Sequence, residues 1–114
     1  MTEYEHGDVF LVDFDPSVGH EFQKIRPAII IQSNTVIKKS SLITVVAITS
    51  NLKNKQAQDI HIKRTSTNGL FKDSIIKVNS IHSFDTKRLL QKIGTTQNDV
   101  MKGIADYLRT HFGL

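Results

Sequence analysis

The chain has no cysteine and no tryptophan among its 114 residues, and none of its apolar runs approaches the length of a membrane span. Each absence excludes something. Without cysteine there is neither a disulfide framework nor a thiolate metal site. Six phenylalanines and two tyrosines with no tryptophan leave no evident aromatic platform of the stacking kind. The opening "MTEYEHGDVF" carries three acids and no Lys or Arg, which is wrong for a secretory or transit peptide. A soluble, cytoplasmic protein is expected, of one domain covering residues 1–114, since this length builds one modest core.

What is present is an uneven charge. The net value of +4 combines an acidic start with a basic remainder. Up to residue 30, six acids (Glu3, Glu5, Asp8, Asp13, Asp15, Glu21) face only Lys24 and Arg26; after it, thirteen bases face five acids. A basic body attracts polyanions, nucleic acid foremost. A solvated lysine-rich surface would show the same excess.

The apolar pattern is mostly that of strands. "DVFLVDF" (Asp8–Phe14) is rich in β-branched and aromatic residues and is followed by the turn chemistry of "DPSVG". "PAIIIQS" and "LITVVAITS" are too apolar for one-faced strands and are expected at the centre of a curled sheet. "DIHIK" alternates, with Ile60 and Ile62 facing in, and "SIIKVNSIHSF" reads as a long strand. The polar "NLKNKQAQ" reads as an exposed loop and "TSTNGLFKDS" as a turn. The period then changes: Val100, Met101, Ile104, Ala105 and Leu108 mark one face of a terminal helix, with Thr96 and Asp99 spaced as a capping box. The fold class is mainly β, a small curled antiparallel barrel with a C-terminal amphipathic helix packed on it.

Four features could carry chemistry. In "GHEFQKIRPAIII", titratable groups crowd the mouth of a buried strand, where a scaffold holds loop residues in place. Gly19 allows a tight turn. Arg26 is extended by the proline after it and carries the planar fork suited to phosphate; an ion pair with Glu21 closing a hairpin is the bland alternative. Thr49, Ser50 and Asn51 leave the most apolar strand and could donate to phosphate oxygens, or simply end a strand. Lys77 and Asn79 are two apart and share a face. Of His6, His20, His61, His82 and His111, only His20 lies among other reactive groups, and no pair has metal-ligand spacing, so zinc is not expected.

The order of these pieces is more specific than any one of them. "GDVFLVDFDPSVGHEFQKIRPAII", then "VVAITSNL", then "IIKVNSIHSFDTKRLLQKIG", then a terminal helix, resembles the MazF/PemK (Kid-like) toxin endoribonucleases of type II toxin–antitoxin systems. The resemblance runs from about residue 6 to 114. It implies the SH3-like barrel shared with other plasmid-maintenance toxins, and catalytic roles for Arg26, Thr49 and His20. It also implies an RNA-contacting set of Gly19, Glu21, Gln23, Lys24, Ser50, Asn51, Lys53, Lys77 and Asn79. Kid-like members carry an arginine and an aspartate where this chain has Lys77 and Asn79, so the positive charge is kept and the carboxylate is lost.

The chemistry implied is attack of the RNA's own 2′-OH on the adjacent phosphorus, giving a 2′,3′-cyclic phosphate and a 5′-OH end without metal or cofactor. His20 is suited to proton transfer near neutral pH. Arg26 is suited to holding the charge of the phosphorane, and Thr49 to adding a neutral donor. DNA lacks the attacking hydroxyl. The partners implied are single-stranded RNA, a second copy of the chain, and an antitoxin with an acidic, disordered tail through which operator DNA is reached only indirectly. No membrane partner is expected. A CcdB-like gyrase inhibitor on the same fold, or a binding-only homologue, are the competing readings.

Overall fold

The computed structural model of the protein describes residues 4–14 and 25–114. Gly19, His20, Glu21, Gln23 and Lys24 therefore lie outside the described residues. The element order is β1 (Asp8–Asp13), β2 (Ile25–Ile30), α1 (Asn34–Ile37), β3 (Leu42–Thr49), β4 (Ile60–Ile62), β5 (Ser74–Asp85), β6 (Leu89–Thr95) and α2 (Asn98–Phe112), with single 3₁₀ turns at Leu52–Asn54 and Thr86–Arg88. The strands form one curled antiparallel sheet in the order β4-β5-β3-β2-β1-β6. β4 and β6 are its two edges.

β2 and β3 read as unbroken apolar runs because both faces of the sheet are covered. One face carries Val9, Ile29, Val46, Ile48, Ile76 and Val78, and α2 lies over it with Ile104 buried and Val100, Met101 and Leu108 packed at its margin. The other carries Phe10, Val12, Phe14, Ala28, Ile30, Val45 and Ala47. Side chains alternate along each strand, so each residue's parity assigns it to one core. Ile60 and Ile62 join the helix-covered core, as their alternation predicts.

The expected strands and terminal helix are all present, with three differences. β6 and the short α1 were not anticipated; "LLQKIGT" mixes polar and apolar residues without clean alternation, and its strand is defined by pairing with β1 across two register shifts. The capping box does not form. Gln97 is the N-cap with no side-chain bond, Asp99 Oδ1 accepts from the Val100 N–H (2.9 Å), and the Thr96 backbone N–H is instead bonded to the Gly7 carbonyl. Tertiary pairing of residue 96 with the N-terminal turn holds it out of the capping position.

The gap between β6 and the turn after β4 is closed by backbone contact. The Thr95 N–H donates to the Thr67 carbonyl (2.9 Å). A Cβ at Gly94 would run into Thr67 O and the Asn68 backbone, and one at Gly69 into Ile93 O; Gly69 also has φ +68°, a region that favours glycine.

Candidate nucleic-acid interface

β2 begins one residue before Arg26, whose backbone pairs with Val12 and whose side chain is exposed. Ala28 pairs with Ala47. Stepping two residues outward on each strand keeps the face unchanged, so Arg26 and Thr49 share the face of the Ala28–Ala47 pair and lie at the same end of the sheet. Thr49 is nearly buried, 8% exposed. Its hydroxyl oxygen accepts from the Asn51 N–H (3.1 Å), which fixes the oxygen and leaves the hydroxyl proton to donate. Ser50 is exposed, and Asn51 caps the 3₁₀ turn by accepting from the Lys53 N–H (3.2 Å). A phosphate at this corner would meet a guanidinium and a rigidly held hydroxyl together.

Lys77 is in register with Ala47 and thus on the same face, but its ammonium is already engaged. Nζ lies 2.6 Å from Asp59 Oδ2 and donates to the Asn54 carbonyl at 3.2 Å. The Asp59 side chain is wholly buried and Lys77's is 13% exposed. Asp59 Oδ2 also accepts from the Gln56 N–H (2.8 Å), so one carboxylate ties the loop after β3 to β5. Lys77, expected as an RNA contact, is held in an internal ion pair. Asn79 is exposed farther along β5, beyond Lys77, and does not join Arg26 and Thr49. Asp59 is not legible from local pattern, because the pairing spans eighteen residues and "QDIHI" reads only as a strand entry.

A cavity of about 220 Å³ opens at the Arg26 end, lined among others by Arg26, Ser50, Leu70, Phe71, Lys72 and Ser74. The sequence pattern marks Leu70, Phe71, Lys72 and Ser74 only as turn and strand residues. Among the described residues neither Arg26 nor Lys72 is in an ion pair, and no three His, Asp or Glu side chains converge as a metal would need.

The family described as the PemK-like, MazF-like toxin of type II toxin–antitoxin systems matches residues 5–112. The chain belongs to this family. It is 36% identical over 109 residues to "Endoribonuclease MazF" of Staphylococcus saprophyticus, covering 95% of this chain and 90% of that one. The fold matches the crystal structure of MazF from Deinococcus radiodurans with a TM-score of 0.82 at 17% identity, over 97% of both chains. It also matches a mycobacterial endoribonuclease solved with its cognate antitoxin, with a TM-score of 0.77 at 17% identity over 98% of this chain and 97% of that one. The curled sheet with its C-terminal helix is thus the PemK/MazF fold, and the Arg26–Thr49 corner sits at the open ends of β2 and β3 within it.

Proposed function

We propose that the chain is the toxin of a type II toxin–antitoxin pair and a sequence-specific, metal-independent endoribonuclease of single-stranded RNA. The observation that carries the reading is the Arg26–Thr49 corner: an arginine in no ion pair among the described residues and a fixed hydroxyl on one face at one sheet end. Membership of the PemK/MazF family supports the toxin role, and the curated relative supports RNA as substrate.

In this mechanism the 2′-OH loses its proton and its oxygen bonds to phosphorus as the bond to the 5′-oxygen breaks. The 5′-oxygen takes up a proton and leaves as a hydroxyl. Arg26 holds the negative charge on the phosphorane oxygens and Thr49 donates to one of them. His20, argued from the sequence motif, moves the proton. A homodimer would bring two such corners to one groove. An antitoxin, the class of partner with which the mycobacterial endoribonuclease was solved, would lay an acidic tail along it in competition with RNA. No described helix is long and apolar enough to cross a membrane.

The test is incubation of purified protein with unlabelled RNA in EDTA, followed by electrophoresis and end-group analysis. Fragments bearing 2′,3′-cyclic phosphate and 5′-OH ends are expected. Activity that is lost in EDTA and restored by magnesium would overturn the metal-free mechanism.

A further inference from the structure

Phe71 is the feature of the site that folding does not explain. Burying a phenylalanine is among the larger gains open to a small chain, yet 79% of Phe71 is exposed, while Leu70 beside it is 4% exposed.

The turn that carries it is tightly built. Asn68 Oδ1 accepts from the Thr65 and Leu70 N–H groups, both at 3.0 Å, and its Nδ2 donates to the Lys63 carbonyl at 2.8 Å. The Arg64 N–H donates to Asp73 Oδ1 (2.8 Å) across the base of the turn, and Gly69 and Gly94 let the turn press directly on β6. The ring is held in solvent by a firm frame.

It stands at the cavity lined by Arg26, Lys72 and Ser50. A flat apolar ring beside a guanidinium, an ammonium and a hydroxyl complements a nucleotide, whose base is flat and apolar-faced and whose phosphate is anionic. A wholly apolar partner would leave both cations unmatched. An acidic peptide would match the cations but gain no more from phenylalanine than from leucine.

We infer that Phe71 is a stacking platform for one nucleobase of the bound RNA strand, next to the phosphate held at Arg26. The inference rests on the endoribonuclease reading above. Stacking tolerates any base but rewards a larger π-face, so Phe71 holds the strand and favours a purine at that position.

The experiment measures binding of two probes to wild type, Phe71→Ala, Phe71→Leu, Phe71→Trp and Arg26→Ala. One probe is a labelled single-stranded oligodeoxynucleotide of mixed sequence, uncleavable for want of the 2′-OH; the other is an abasic oligodeoxynucleotide of equal length. Phe71→Ala and Phe71→Leu should weaken binding of the base-bearing probe about 10-fold and leave the abasic probe unchanged. Phe71→Trp should bind both at least as well as wild type, and Arg26→Ala should weaken both. Melting temperature and sedimentation of the Phe71 variants should match wild type.

Wild-type binding by Phe71→Leu would overturn the inference, as would equal loss of both probes in Phe71→Ala. A shift of Phe71→Ala from dimer to monomer would mark the ring as a subunit contact and overturn it likewise. RNA cleavage separates the two readings: a wild type that cleaves while Phe71→Ala cleaves and binds identically sinks only the stacking role. A wild type that cleaves nothing but shows the expected probe pattern sinks only the enzyme.

Discussion

Two cations on one sheet face have opposite fates. Lys77 is set against a buried carboxylate and a carbonyl, with its charge spent inside the protein. Arg26, at the end of β2, is exposed and in no ion pair among the described residues. Sharing a face does not set how much of a cation's charge is left for a ligand. An ammonium matched at 2.6 Å by a buried carboxylate offers little net field to a phosphate, whereas an unmatched guanidinium at a sheet end offers all of its own. The corner around Lys77 holds a loop in place, and the corner around Arg26 is the one that the proposed function uses.

The sharpest way to break this contrast is at Arg26. Arg26→Ala should lower RNA cleavage by about 10²- to 10³-fold, the usual effect of removing one donor to a developing oxyanion, with the melting temperature unchanged. Arg26→Lys should rescue little, since an ammonium lacks the planar fork. Cleavage assays paired with thermal melts check both, and near-wild-type turnover by the lysine variant would refute the role.

At the other corner the effect should fall on stability. Asp59→Asn leaves the Lys77 ammonium largely buried without its counter-charge and should cost about 3 kcal/mol, read by urea titration. Replacing both partners, Asp59→Asn with Lys77→Met, should recover much of that loss, because no unpaired charge remains. A double variant as unstable as the sum of the two singles would show that the pair is not coupled.

Gly94→Ala tests the seam between β6 and the turn bearing Phe71. The added Cβ would press on Thr67 O and the Asn68 backbone, and overpacking of this kind costs about 1–3 kcal/mol. It should also weaken binding of base-bearing oligonucleotides by displacing the ring. The smallest effect is expected for Phe71→Ala on stability, within about 0.5 kcal/mol of wild type, because the ring contributes so little burial. A large loss of stability there would mean that the exposed ring is covered in solution.

Much of this protein was set by local pattern. The unbroken apolar runs of β2 and β3 announced strands covered on both faces, and the change of period after residue 95 announced α2. The proline at 27 fixed Arg26 as an extended residue at a strand mouth, and the threonine at a strand end put Thr49 where a hydroxyl could be held. Tertiary structure alone decided what depends on contacts between segments distant in sequence. β6 exists through its pairing with β1, Thr96 is drawn out of the capping box by Gly7, and Lys77 is neutralised by an aspartate eighteen residues away. The same holds for Phe71, one of six phenylalanines with nothing in its neighbours to distinguish it. Composition argued against a stacking platform, since it counts rings and cannot see where they are placed. Periodicity reports which way a side chain faces; whether that side chain meets a partner or solvent is settled only when the strands and turns come together.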